Sequence, residues 1–257
     1  MNKMSGVLGD IEGYWTNRAE GYSDFNKKEL STMQKNKWIH EIENELKEIN
    51  KPKELINILD IGCGPGFFSI ILARAGYKVT AIDYTNKMLE KAKENCGDLL
   101  SKINFIKMDA QNLQFNDESF DVVVSRNLTW NLENPCIAYK EWIRVLKKRG
   151  ILLNFDANWY HHLFDKEKKK AYEEDRNRVA NSKLEDHYTC TDIESMEDIA
   201  RKVPLSKIMR PDWDISTLND LGVTSINVDL EVWKRVWSEE EKVNYNSTPM
   251  FLIKAIK

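Results

Sequence analysis

Long apolar runs are missing from this 257-residue sequence. None approaches the ~20 residues of a membrane-spanning helix, so no membrane role is expected. The opening Met1-Asn2-Lys3-Met4-Ser5-Gly6 lacks the extended apolar core of a secretory signal. Cysteine is sparse as well. Cys63, Cys96, Cys136 and Cys190 stand far apart with no CxxC pair, which argues against a zinc site or a disulfide framework and fits a reducing cytoplasm. Strong charge of one sign is also absent. With 38 basic and 41 acidic residues the net charge is −3, which supplies no global attraction to nucleic acid. Neither an internal repeat nor a low-complexity linker interrupts the text, so residues 1–257 read as a single domain. What remains, 42% hydrophobic and 31% charged, is ordinary for a globular protein with a sizeable core.

Residues 10 to 50 carry helical spacing, with Trp38, Ile39, Ile42 and Leu46 on one face, up to the stop at Lys51-Pro52-Lys53. Strands and helices then alternate. Strand 55–61 leads into helix 66–75, which Gly76 ends. Strand 78–82 leads to Asp83 and a helix through Met88 and Lys93. Strand 103–107 leads to the loop of Asp109, and strand 120–125 to a loop and helix 134–147, before strand 150–155. Such repeats predict an α/β fold: a parallel sheet with helices on both faces. Beyond residue 156 the rhythm breaks. Residues 165–203 are charged and helical, opening Asp165-Lys166-Glu167-Lys168-Lys169-Lys170, which reads as a solvated helix face. They predict a helical insertion at 157–215, after which strand-like text returns at 223–228 and 250–256.

The most informative segment is Leu59-Asp60-Ile61-Gly62-Cys63-Gly64-Pro65-Gly66. A strand that turns into a helix through three glycines lets a ligand approach the backbone and meet free helix N–H groups. The spacing Gly62-x-Gly64-x-Gly66 is not the GxGxxG of dinucleotide sites. Pro65 removes a donor, which suits a ligand with no pyrophosphate to cradle. Asp83, at the end of the second strand, can accept hydrogen bonds from ribose hydroxyls or merely cap the next helix. Tyr84 and Met88 can pack on a sugar or base, or belong to the core. The run Asp109-Ala110-Gln111 can meet the exocyclic amine and a ring nitrogen of adenine, or form an ordinary polar loop.

Together with Phe120-Asp121-Val122-Val123-Val124, these residues resemble the class I S-adenosylmethionine-dependent methyltransferases, and most the small-molecule branch called type 11. The likeness covers roughly residues 54–155. It implies a Rossmann-like, seven-stranded, mostly parallel sheet with an antiparallel last strand, here the 250–256 run. By position it implies that Gly62, Cys63, Gly64 and Gly66 face the methionine part of the cofactor, while Asp60 orients the turn or binds the amino group through water. Asp83 would hold the ribose beside Tyr84 and Met88, and Asp109, Ala110 and Gln111 the adenine. Ser125, Arg126 and Asn127 would border the methyl group. The cofactor would be S-adenosyl-L-methionine and the product S-adenosyl-L-homocysteine. One departure is Lys148-Arg149-Gly150, where the family usually has a Lys-Pro-Gly-Gly turn; it bears on loop shape.

Methyl transfer from a sulfonium is an in-line displacement that needs alignment first, and a base only where the acceptor loses a proton. Acceptor-side candidates fall in three clusters. Tyr14, Trp15, Arg18 and Tyr22 lie in the N-terminal segment, which in similar enzymes folds over the cofactor. In the run Arg126-Asn127-Leu128-Thr129-Trp130-Asn131, Arg126 can bind a substrate carboxylate. The third, Asp156-Asn158-Trp159-Tyr160-His161-His162, stands at the carboxyl end of the fifth strand, where ligands of such sheets bind. Tyr22, Arg126 and His161 are therefore the catalytic candidates. His161 and His162 point in different directions, so shared metal ligation is not expected; His187 raises the same base-or-surface alternatives. Trp130, Trp159 and Trp213 can line an apolar acceptor pocket under the insertion. The expected partner is a small-molecule acceptor. Nucleic acid is not expected, since no NPPY-like tetrapeptide or strongly basic segment is present. Two other readings stand beside this one, a nicotinamide-dependent oxidoreductase and a non-catalytic S-adenosylmethionine-binding protein. Oligomeric state and acceptor atom stay open.

Overall fold

The structure, a computed structural model, describes residues 6–188 and 191–257. Met1–Ser5 and Cys190 therefore lie outside the described residues. The elements run α1 (Val7–Ser31), α2 (Gln34–Glu45), β1 (Asn57–Ile61), α3 (Phe67–Arg74), β2 (Lys78–Asp83), α4 (Asn86–Cys96), β3 (Ile103–Lys107), β4 (Phe120–Arg126), α5 (Pro135–Val145) and β5 (Leu146–Asp156). There follow α6 (Lys166–Ala180), α7 (Ile193–Ala200), α8 (Asp212–Asp220), β6 (Ser225–Asp229), α9 (Val232–Val236), α10 (Glu239–Asn244) and β7 (Phe251–Ile256).

All seven strands join one sheet in the order β3-β2-β1-β4-β5-β7-β6. Every neighbouring pair is parallel except those of β7, which runs antiparallel to both β5 and β6. The α/β class and the antiparallel final strand are thus as the sequence implies. The order reverses between β1 and β4, and the crevice beyond the carboxyl ends of these strands is the natural ligand site of such a sheet.

Boundaries moved where local chemistry overrode the apolar pattern. Residues Lys53–Leu55 form a 3₁₀ turn after Pro52, so β1 starts at Asn57. Helix α5 stops at Val145 because Leu146 is already extended and opens β5 directly. Pairing with β4 jumps from Phe120↔Leu146 to Val122↔Ile151, and the extra residues form the Lys148-Arg149-Gly150 bulge. There a Cβ on Gly150 would lie 2.8 Å from the Lys147 carbonyl oxygen. The helical region after β5 extends to Asp220, past the expected 215, because α8 runs on that far.

Both sheet faces are covered. On one, α2 and α3 bury Trp38, Phe67 and Phe68 against Phe155 of β5, with Trp38 edge-on to Phe68 (5.1 Å) and Phe155 (5.2 Å). On the other, α5 buries Tyr139 and Trp142. Each such ring contributes roughly 1.5–3 kcal/mol by leaving water. The long α1 packs on α4 and is tied to the glycine turn through Asn95. That amide receives a hydrogen bond from the Ser23 hydroxyl (3.3 Å) and donates to the Pro65 carbonyl (3.0 Å). The N-terminal helix is in this way fixed against the loop that it overhangs. Among the described residues no helix is long and apolar enough to cross a membrane.

Candidate active site

At the reversal point the chain after β1 turns with left-handed backbone at Gly62 (φ 67°), Gly64 (φ 53°) and Gly66 (φ 91°). At Gly62 a side chain would meet Leu128 at 2.7 Å, and at Gly66 it would meet Ala92 of α4, whose Cα lies at 3.3 Å. Glycine is therefore required by both conformation and space. The Cys63 N–H donates to the Ile82 carbonyl (2.9 Å), holding the turn beside the end of β2. Above this turn opens a chamber. Of the sequence-derived cofactor residues, Gly62, Gly64, Asp83, Tyr84, Met88, Asp109, Ala110, Gln111 and Asn127 line it, as do Tyr22 and Arg126.

Asp83 is the electrostatic centre. One of its carboxylate oxygens accepts the Gly64 N–H (2.9 Å) and the other the Thr85 N–H (2.8 Å). Burial pushes its pKa up to about 6, against those two hydrogen bonds, which favour the anion. Asp109 accepts from the Gln111 backbone (2.9 Å) and side-chain amide (3.1 Å), and the Ala110 carbonyl receives the Trp142 indole N–H (2.9 Å). Two further acceptors on this wall, Asn127 Oδ1 and Asn131 Oδ1, are buried with no hydrogen-bond partner among the described residues. Leaving such atoms unsatisfied costs ~1–3 kcal/mol each, so a donor-bearing ligand fits here.

Other expected contacts are redirected. The carboxylate of Asp60 is buried beneath the chamber and receives the Ser69 hydroxyl (2.5 Å), so it ties β1 to α3; burial pushes its pKa up to about 7. Cys63 packs in the core, where burial pushes its thiol well up. Gly66 caps α3 rather than lining the chamber. Ser125 spends its hydroxyl on the Ile61 carbonyl (3.1 Å) under the floor. Gln111, although on the wall, uses its side-chain carbonyl to accept the Asn134 N–H (2.6 Å) at the start of α5.

Arg126 is not free for a substrate carboxylate. Its guanidinium pairs bidentately with Glu29 of α1 (2.8 and 2.9 Å) and stacks against Phe67 (4.5 Å). Burial alone would lower its pKa, and Glu29 pushes it above the ordinary value. His161 lines neither chamber of the site; it is buried with Nδ1 at the Ser206 carbonyl (3.2 Å). His162 stacks on Tyr172 (4.1 Å), again away from the site. Asp156 is consumed by Arg210 and by the N–H groups of Trp130 and Ala157. Trp213 stacks on Tyr139 (5.7 Å) in the opposite core. These side chains all had partners that only folding could bring.

A second chamber adjoins the first and shares Trp15, Tyr22 and Asn127 with it. Its remaining lining gathers Tyr14 and Arg18 of α1, Trp130, Trp159 and Tyr160 from the strand ends, and His187, Tyr188, Thr191 and Tyr245. Tyr22 stands at the junction: a Cβ on Gly64 would be 3.5 Å from its ring, and burial raises its pKa. Thus Tyr22 is where the N-terminal aromatic segment was expected, while Tyr245 drew no attention in the sequence. Nothing local marks a tyrosine beyond α10 as facing a residue 58 positions earlier. Among the described residues no cluster of three or more His, Cys, Asp or Glu side chains is placed to hold a metal.

Residues 59–154 match a family described as a methyltransferase domain. A demethylmenaquinone methyltransferase of Leptospira interrogans is 34% identical over 141 residues, covering 53% of this chain and 54% of that protein. A ubiquinone biosynthesis O-methyltransferase of Pelagibacter ubique is 31% identical over 107 residues, covering 42% and 44%. The chain spans about half the length of the curated relatives it matches. Among solved structures, a phosphoethanolamine N-methyltransferase of Haemonchus contortus, bound to S-adenosyl-L-methionine, shares the fold at TM-score 0.57 and 17% identity, over 85% of this chain and 52% of that one. A protein of Methanococcus maripaludis, described as an S-adenosyl-L-methionine-dependent methyltransferase, does so at TM-score 0.59 and 20% identity, over 94% and 93%. The glycine turn, the strand-end acids and the sheet order thus lie in or around a segment, residues 59–154, that is similar to the methyltransferase-domain family, on a fold shared with S-adenosylmethionine-dependent methyltransferases.

Proposed function

We propose that the protein transfers a methyl group from S-adenosylmethionine to a small-molecule acceptor by in-line displacement. The observation that carries this reading is the pair of adjoining chambers, which meet at Trp15, Tyr22 and Asn127. One suits an adenosyl ligand by its glycine turn and acids, and the other is a separate aromatic space from which an acceptor can face it. The cofactor, when bound, supplies an electrophilic methyl group on a sulfonium.

Every other contribution comes from the chain. Asp83 accepts the ribose hydroxyls, its carboxylate already oriented by Gly64 and Thr85. Asp109 and the Ala110 N–H hold the adenine, with Met88 and Tyr84 against the sugar and base. Asn127 and Asn131 offer their unpaired oxygens to the ligand's amino group. Tyr22 closes the junction and excludes water. Alignment at near-attack distance supplies up to ~7–11 kcal/mol in the best cases, so no metal is required by the reading. On this view residues 1–257 act as one domain, with 1–50 covering the cofactor and 157–215 capping the acceptor. The free thiols of Cys63, Cys96 and Cys136 suit the cytoplasm.

Calorimetric titration with S-adenosylmethionine tests the proposal. Binding should be saturable, and Asp83→Ala should weaken it about 100-fold, the equivalent of losing one to two charge-assisted hydrogen bonds at ~1.5–3 kcal/mol each. Affinity unchanged in that variant would remove the ribose assignment. Stabilisation by NAD without stabilisation by S-adenosylhomocysteine would favour the oxidoreductase reading.

A further inference from the structure

The second chamber has a composition that speaks to the acceptor. Its walls are dominated by aromatic rings, yet among the described residues Arg18 is the one formally charged side chain on them and no carboxylate lines it. A cationic amine would enter beside a like charge with no counter-ion, whereas a flat, uncharged ring meets π-faces throughout. Trp159 adds a recognition element: its indole N–H is buried with no hydrogen-bond partner among the described residues, and so calls for an oxygen on the ligand.

A proton acceptor reaches the same wall. The Tyr245 hydroxyl lies 3.0 Å from His187 Nδ1, and both residues line the chamber. On the far side of the imidazole, His187 Nε2 is 3.6 Å from Glu240, which Lys28 holds in place (2.9 Å). A carboxylate at Nε2 favours the tautomer protonated there and leaves Nδ1 as the acceptor for the Tyr245 O–H. The His187 N–H of the main chain donates to Asn244 (3.1 Å), which fixes the segment against α10.

We propose that the aromatic chamber binds a planar hydroxylated aromatic acceptor, a catechol-like ring, and that Tyr245, His187 and Glu240 form the relay that removes its hydroxyl proton. This rests on the methyltransferase reading above. In the transfer step the acceptor oxygen forms the new carbon–oxygen bond while the methyl carbon–sulfur bond breaks, its electron pair going to sulfur. The hydroxyl proton passes to the Tyr245 oxygen as the tyrosine's own proton moves to His187 Nδ1. The imidazolium so formed is stabilised by Glu240 and later returns the proton to solvent. Tyr245 is the group that touches the acceptor; His187 and Glu240 act through it.

Among the described residues, the charged and titratable groups around His187 are Lys28 of α1, Glu185 and Asp186 before it in the chain, Glu240 of α10 and Tyr245. Burial pulls its pKa below the ordinary histidine value, and Glu240 is the largest opposing influence. The full chain loaded with S-adenosylhomocysteine is titrated with catechol, and with phenethylamine as the amine control, reading the emission of Trp15, Trp130 and Trp159. Turnover with methyl-labelled S-adenosylmethionine is followed in parallel by mass spectrometry. Catechol should quench saturably and be methylated on oxygen, with kcat/KM rising through one ionisation as pH increases. His187→Gln should lower kcat about 100-fold or more with catechol affinity within about threefold, the scale of general-base loss. Glu240→Gln removes the charge that raises the histidine's pKa, so the ascending limb should move to lower pH with a lower plateau. If His187→Gln fails to fold, Glu240→Gln decides by itself. Three results overturn the proposal: phenethylamine bound and methylated in place of catechol, no catechol binding or turnover, or a pH limb unmoved in Glu240→Gln. Failure to bind S-adenosylhomocysteine at all would instead remove the methyltransferase reading, and this proposal with it.

Discussion

If Arg126 is a strut between α1 and the sheet, breaking its pair with Glu29 should cost stability before it costs acceptor affinity. The two side chains are only 11% and 2% exposed and meet through two parallel hydrogen bonds. Three rings surround the guanidinium: Phe67 at 4.5 Å, with Trp38 and Phe68 both at 5.2 Å. Removing one member of a buried pair leaves the other charge uncompensated, at about 3–5 kcal/mol. With roughly 2–4 °C per kcal/mol for a chain of this size, Arg126→Met should lower Tm by roughly 6–20 °C. Among the described residues, the Glu29 carboxylate would retain the Asn26 amide as its hydrogen-bond donor (3.1 Å). The double variant Arg126→Met with Glu29→Gln removes both charges, so it should be destabilised by less than the sum of the single changes. A coupling of about 2 kcal/mol or more is expected in a urea-denaturation cycle. Coupling below about 0.5 kcal/mol, together with a raised KM for the acceptor and an unchanged Tm, would refute the strut and restore a substrate-binding arginine.

Two further outcomes follow from the turn and the residue beneath it. Gly66→Ala places a Cβ at φ 91° within 3.3 Å of the Ala92 backbone, which cannot swing away. A loss of about 1–3 kcal/mol is expected, read by urea denaturation, and an unchanged midpoint would show that α4 yields more easily than its packing suggests. For Asp60, the folded pKa of about 7 lies above the ordinary 3.8, so between these values the folded protein holds a proton that the unfolded chain has released. Its contribution to stability must then fall as pH rises from about 4 to about 7 and level off above. Asp60→Asn should flatten that part of the profile and gain stability at pH 8 relative to pH 5; parallel profiles for the two proteins would contradict the assignment.

The parts of the site that could be read from sequence are those fixed by short-range spacing. The turn at Gly62–Gly66 and the strand-end acids Asp83 and Asp109 are positioned by the strands that precede them, and strand periodicity is a local property. Once β1, β2 and β3 are parallel neighbours, their carboxyl ends must converge on one crevice. The expected adenosyl-binding residues Tyr84, Met88, Ala110 and Asn127 came to its wall for the same reason. Residues whose role depends on a distant partner were not readable. Arg126 is paired with Glu29, 97 positions away, and Asp156 with Arg210, while His161 meets the Ser206 carbonyl. In a sequence each looks like an unused polar group beside the active site, and a buried charge or ring nitrogen becomes structural only when the fold supplies its complement.

The acceptor side shows the same division most sharply. By itself, the amino-acid sequence determined the sheet and the glycine turn on which the proposed methyl donor rests, because backbone conformation and strand alternation are decided within a few residues. Tertiary structure alone decided which aromatic side chains form a chamber and that His187 stands between Tyr245 and Glu240. Those side chains come from α1, the loops after β4 and β5, the segment after α6 and the chain beyond α10, and only long-range packing of the hydrophobic core brings such separated elements to one wall.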